Sequence, residues 1–140
     1  MKFEKDGYVI VRNLFSESEL LEAEKTIKEF SEKKIEGWEI GKEMAYYETN
    51  LQNNLRVLTR VEKTIEYHDS ISKLANSKKL MACLNDLMGE ECILFKDKIN
   101  YKHPGGTGWA AHQDIQARWD DFADYFMNAL ITIDDNDIDN

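Results

Sequence analysis

The chain's only proline, Pro104, opens the run Pro104-Gly105-Gly106-Thr107-Gly108, which holds three of the seven glycines. A missing amide donor followed by residues that tolerate positive φ ends any strand or helix at this point. The apolar stretches on either side must therefore be separate elements. Before the break, "ECILFKDKINYK" (residues 91–102) reads as a strand carrying apolar Ile93, Phe95 and Ile99. After it, "WAAHQDIQARW" (residues 109–119) is expected to resume in extended form, and "FMNALITI" (residues 126–133) to be a last apolar strand.

Upstream, "GYVIVRNLF" (residues 7–15) has the β-branched apolar run of a buried strand. Ser16 and Glu19 have the spacing of a capping box, with Ser16 as N-cap and Glu19 reaching back to it. Leu20, Leu21, Ala23, Glu24, Ile27 and Phe30 then continue as an amphipathic helix to about Lys34. "GWEIGKEMAYYE" (residues 37–48) reads as a strand and a turn, and "LRVLTRVEKT" (residues 55–64) as another strand. Residues 69–88 fit two short helices, one on Ile71, Leu74 and Ala75, the other on Leu80, Met81, Leu84, Leu87 and Met88, with Gly89 as terminator. This order predicts an α+β domain with a mostly antiparallel sheet, spanning residues 1–140 with no repeat or linker.

The 140 residues suffice for one domain with a core, and 42% of them are apolar. A net charge of −9 argues against nucleic acid or an anionic membrane as main partner. No apolar stretch is as long as a membrane span, and Met1-Lys2-Phe3-Glu4-Lys5-Asp6 lacks the apolar core of a signal peptide, so a cytoplasmic location is expected. Cys83 and Cys92 have no metal-ligand spacing and read as buried free thiols.

Residues two apart on an extended strand share a face, so His112 and Asp114 would converge, with Gln113 facing away. Imidazole plus carboxylate is two thirds of the 2-His-1-carboxylate set that holds non-haem Fe(II) with open positions for substrate and O₂. The alternative is a His112 that caps a turn beside a solvated Asp114, and spacing alone does not decide between them. Lys96, Lys98, Asn100, Lys102 and Arg118 flank the motif as a local cationic cluster in an acidic chain. Such a cluster suits a carboxylate-bearing ligand, or equally a solvated strand face with lysines protecting an edge. Tyr101, Trp109 and Trp119 have the character of core aromatics or of a cofactor wall. His103 belongs to the loop, and His68 to a polar segment far upstream. Asp135, Asp137 and Asp139 alternate like the first ligands of a calcium loop, but the glycine, the closing glutamate and the preceding helix are missing.

"DGYVIVRNLFSESEL", "LMGEECILFKDKINYKHPGGTGWAAHQDIQARW" and "NALITIDDNDIDN", in that order, resemble the phytanoyl-CoA dioxygenase family of Fe(II)- and 2-oxoglutarate-dependent oxygenases. The resemblance implies a double-stranded β-helix (a cupin-like jelly roll) with N-terminal helices packed outside it. It implies His112 and Asp114 as iron ligands and 2-oxoglutarate as cosubstrate. Asn100 matches a position that helps hold 2-oxoglutarate in related hydroxylases, and Lys96, Lys98 and Trp119 would face the cosubstrate or substrate cavity. An aspartate at 114, where related halogenases carry a small residue, favours hydroxylation of a small molecule.

The family's second iron-binding histidine and its 2-oxoglutarate-gripping arginine lie well C-terminal to the H-x-D segment, and no residue follows Asn140 here. The expectation is an N-terminal half of such a domain, incomplete at its C-terminus and inactive alone, with exposed sheet edges that promote oligomers. The rival expectation is a non-catalytic β-helix module that binds a small molecule or serves a structural role.

Overall fold

The computed structural model describes residues 2–32 and 43–138. Among them are helices α1 (Lys2–Asp6), α2 (Glu17–Glu32), α3 (Asp69–Ala75) and α4 (Lys78–Met88), and strands β1 (Met44–Thr49), β2 (Arg56–Glu62) and β3 (Lys98–Asn100). Two short 3-10 turns follow, Asp114–Ala117 and Trp119–Asp121. The strands form one antiparallel sheet in the order β1-β2-β3. The architecture is thus α+β, as the element order predicts.

The capping box forms as read. The Ser16 amide donates to Glu19 Oε2 at 2.8 Å, and the Glu19 amide donates to Ser16 Oγ at 3.4 Å. Ser77 caps α4 by accepting from the Leu80 amide, and Gly89 ends it in the left-handed region at φ 76°.

One face of the sheet is apolar. Phe30 of α2 packs there on Ala45, Leu58 and Val61, with Tyr47, Ile99 and Tyr101 at the margin. Leu58 and Val61 are three apart and still share this face because the register slips between Tyr46 and Tyr47, leaving Thr59 as an extra residue. A second cluster joins Ala23 of α2 to Ile71 and Leu74 of α3, and Phe15, Ile65, Ile131 and Ile133 pack against it. Tyr101 ties the sheet to α2, its hydroxyl donating to the Ile27 carbonyl at 2.7 Å.

The other face is polar. Glu62 is buried there, 3.2 Å from both Arg60 Nε and Lys96 Nζ. The Arg60 N–H does not point at the carboxylate, so this contact is an ion pair rather than an aligned hydrogen bond. The Arg60 guanidinium lies over the Tyr46 ring at 4.1 Å and the Trp109 ring at 5.0 Å.

Four strand expectations are corrected. Residues 7–15 form no strand; α1 ends at Gly7 (φ 75°), and Tyr8, Val9, Ile10 and Val11 are exposed. β-branched composition does not make a strand where no neighbour supplies a ladder. Of residues 91–102 only Lys98–Asn100 forms a strand, opposite Arg60–Glu62, and the Tyr101 amide adds one bond to the Thr59 carbonyl at 2.8 Å. Residues 109–119 are not extended throughout but coil into the 3-10 turns, with Arg118 at φ 62° between them. Residues 126–133 form no strand and instead dock Ile131 and Ile133 on the second cluster. Residues 37–42 of the predicted strand and turn, and Lys33 and Lys34 of the predicted helix, lie outside the described residues. Cys83 and Cys92 are free and half-buried. Among the described residues no helix is long and apolar enough to cross a membrane.

Candidate metal centre and its groove

The Pro-Gly loop delivers the chain from β3 to His112. It is clamped on the β1–β2 turn: Asn50 Nδ2 donates to the Pro104 carbonyl at 2.7 Å, and the Leu51 amide to the Gly105 carbonyl at 2.9 Å. Thr107 donates to the Glu48 carboxylate through its amide at 3.1 Å and its hydroxyl at 2.6 Å. Gly105 has φ 78°, and a Cβ there would come within 2.6 Å of Asn50 Oδ1. Glycine is required for both reasons. His103 completes the anchor, its Nε2 lying 2.9 Å from the Leu58 carbonyl, so this histidine belongs to the loop as read from the sequence.

His112 and Asp114 do meet, though not through strand alternation. His112 Nε2 lies 3.5 Å from Asp114 Oδ1. His112 Nδ1 lies 2.7 Å from the Ala110 carbonyl, which can only accept; Nδ1 therefore carries the proton, and in the neutral ring Nε2 presents its lone pair. The far oxygen of Asp114, Oδ2, accepts from Asn128 Nδ2 at 2.6 Å. Two electron-pair donors thus face each other, each held from behind. A bridging cation or a second imidazole proton relieves their repulsion. Ligands about 2.1 Å from one ion lie about 3 Å apart at a right angle and about 3.4 Å apart at a tetrahedral angle, so at 3.5 Å the pair is close enough to share one divalent ion. Among the described residues no group of three His, Cys, Asp or Glu side chains is placed to hold a metal, so His112 and Asp114 are a candidate pair of donors only.

An open groove surrounds the pair, lined by His112, Gln113, Asp114, Ile115, Trp119, Asp124, Tyr125, Phe126 and Asn128. Its aromatic side is braced by Phe95, whose ring lies 5.6 Å from Trp119, 5.3 Å from Phe122 and 5.0 Å from Phe126. Of the residues singled out in the sequence, Trp119 joins His112 and Asp114 in this groove. Lys96, Lys98 and Asn100 do not line it. Lys96 is paired with Glu62 on the polar sheet face, and Asn100 stands opposite Arg60 in the same sheet. Arg60 beneath Trp109 connects that face to the segment leading into His112. Arg118 turns away to pair with Asp121 at 3.0 Å. His68 lies edge-on to Phe30, with ring centroids 4.6 Å apart. Asn128, Tyr125 and Phe126 escaped the sequence reading; the one available signal was a polar amide inside the apolar run of residues 126–133.

Comparison with known proteins gives a consistent neighbourhood. The family description "Phytanoyl-CoA dioxygenase (PhyH)" matches residues 3–140. A 2-aminoethylphosphonate dioxygenase from uncultured bacterium HF130_AEPn_1 is 33% identical over 135 residues, which cover 95% of this chain and 50% of that protein. A methylphosphonate hydroxylase of Gimesia maris is 35% identical over 118 residues, covering 83% of this chain and 43% of that protein. A Stutzerimonas stutzeri protein named "Probable alpha-ketoglutarate-dependent hypophosphite dioxygenase" is 31% identical over 108 residues, 77% of this chain and 37% of its own length. The chain spans about half the length of the curated relatives it matches. No solved structure matches it significantly.

Proposed function

This chain belongs to the phytanoyl-CoA dioxygenase family, and from that premise we propose that it serves an Fe(II)- and 2-oxoglutarate-dependent dioxygenase that hydroxylates a small molecule. The observation that carries the reading is the convergence of His112 Nε2 and Asp114 Oδ1, 3.5 Å apart at the edge of a groove. In this reading the three-stranded sheet and its helices are part of a double-stranded β-helix.

His112 and Asp114 would hold the iron, which supplies O₂ activation when bound, while 2-oxoglutarate supplies two electrons. His112 contributes a neutral imidazole whose tautomer the Ala110 carbonyl sets. Asp114 contributes one carboxylate oxygen and neutralises charge. Trp119 and Phe126 give one side of the groove an apolar wall for the substrate. Asn100, Lys98 and Lys96 supply polar and cationic groups for the cosubstrate or substrate from the neighbouring sheet face. The names of three relatives point to small phosphonates or a related phosphorus oxyanion as the first substrate class to try.

The test is succinate release from 2-oxoglutarate with Fe(II) and a panel of phosphonates, by a protein that carries this chain together with the remaining half of the length its relatives have. Release that depends on a phosphonate and is abolished by His112→Ala supports the reading. Equal release by His112→Ala refutes the metal assignment.

A further inference from the structure

The metal pair is held from both ends. At one end the Ala110 carbonyl fixes His112 Nδ1. At the other, Asn128 Nδ2 donates to Asp114 Oδ2 at 2.6 Å, joining two residues fourteen apart. An amide nitrogen can only donate, so this bond occupies Oδ2 and leaves Oδ1 as the oxygen facing His112 Nε2 at 3.5 Å. Without Asn128 the carboxylate is free to rotate about its Cβ–Cγ bond and present either oxygen, or both.

We infer that Asn128 is a positioning residue of the metal centre, which selects one-oxygen ligation by Asp114 and aims that oxygen at the ion shared with His112. This rests on the reading in which His112 and Asp114 hold the metal. Asn128 is exposed and its bond to Asp114 is at the surface, so the bond adds little to the stability of the fold. Its consequence lies in ligand orientation, where loss of such a supporting bond typically weakens metal affinity about 10- to 100-fold.

The experiment is titration of the full chain with Mn(II) alone, followed by electron paramagnetic resonance, with the thermal midpoint recorded for each variant. Asn128→Ala and Asn128→Leu, the second nearly equal in size to asparagine but without a donor, should each weaken Mn(II) binding about tenfold with the thermal midpoint unchanged. Asn128→Gln, which keeps the donor on a longer arm, should recover part of that loss. Wild-type affinity in Asn128→Ala, when His112→Ala and Asp114→Ala both lose Mn(II), would overturn the inference and leave the metal reading intact. Wild-type affinity in both His112→Ala and Asp114→Ala would instead remove the metal reading on which the inference stands.

Discussion

Thr64 donates twice to one oxygen of Asp97: its amide at 2.7 Å and its hydroxyl at 2.5 Å both reach Oδ2. Thr64 is fully buried just after β2, and Asp97 directly precedes β3, 33 residues later. One carboxylate oxygen thereby fixes where β3 begins and so the register that sets Asn100 opposite Arg60. Asp97→Ala strands two buried donors and should destabilise the chain by about 2–3 kcal/mol. Asp97→Asn keeps an acceptor oxygen and should cost about 1 kcal/mol. Urea denaturation of the two variants checks this; equal losses would mean that the carboxylate acts through charge alone.

Gly105→Ala should destabilise by about 1–3 kcal/mol, because φ is positive there and the new methyl meets Asn50 Oδ1 and Gln52 Cγ. Gly89→Ala, also at positive φ but with nothing within 4 Å, isolates the backbone part of the effect. The difference between the two thermal midpoints measures the close approach. No difference would mean that the loop does not press on the β1–β2 turn.

Helices α2, α3 and α4 were legible because their signals are local, whereas the five-residue α1 escaped the reading. Ser16, Glu19 and Gly89 act within one turn of their own helix, and the periodicity of Leu20, Ala23, Ile27 and Phe30 needs only one apolar partner. The strands were legible only where a neighbour exists. β2 pairs with β1 along its length and with β3 from Arg60 to Glu62, whereas Tyr8 to Val11, also rich in β-branched residues, pairs with nothing among the described residues. The site was half legible. His112 and Asp114 stand out by type and spacing, yet they converge through a coil and a 3-10 turn that no alternation rule contains. Asn128 reaches Asp114 from fourteen residues away, a contact that only the folded chain defines.

The start of α2 should confer an acid-sensitive share of stability. The Lys79 ammonium beside Glu19, at 2.7 Å, and the Ser16 hydroxyl and amide together hold its carboxyl down at about 2. An unfolded glutamate has a pKa of about 4.3. Between those values the unfolded chain binds the extra proton, so stability is fully present above about pH 4.3 and declines as pH falls toward 2. Glu19→Gln should lower the thermal midpoint at pH 6 and approach the wild type at pH 2.5. Because Glu19 is exposed, the gap should also narrow in high salt. A gap between wild type and Glu19→Gln that does not change from pH 6 to pH 2.5 would contradict this assignment.

The polar sheet face should respond unequally to loss of its two charge partners. Glu62 is buried, whereas the Lys96 side chain that meets it is 40% exposed. Removing a buried carboxylate leaves Arg60 Nε enclosed without its neighbouring charge, and Glu62→Ala should cost about 3 kcal/mol. Lys96→Ala should cost under about 1 kcal/mol, since an exposed ammonium keeps its hydration and Arg60 still faces Glu62. Urea denaturation of both variants decides the matter. A small Lys96 effect leaves its ammonium able to turn from Glu62 toward an anionic cosubstrate without unfolding the sheet, as its proposed role requires. A Lys96→Ala loss as large as that of Glu62→Ala would make the lysine a fixed structural partner and remove it from the candidate ligand-binding groups.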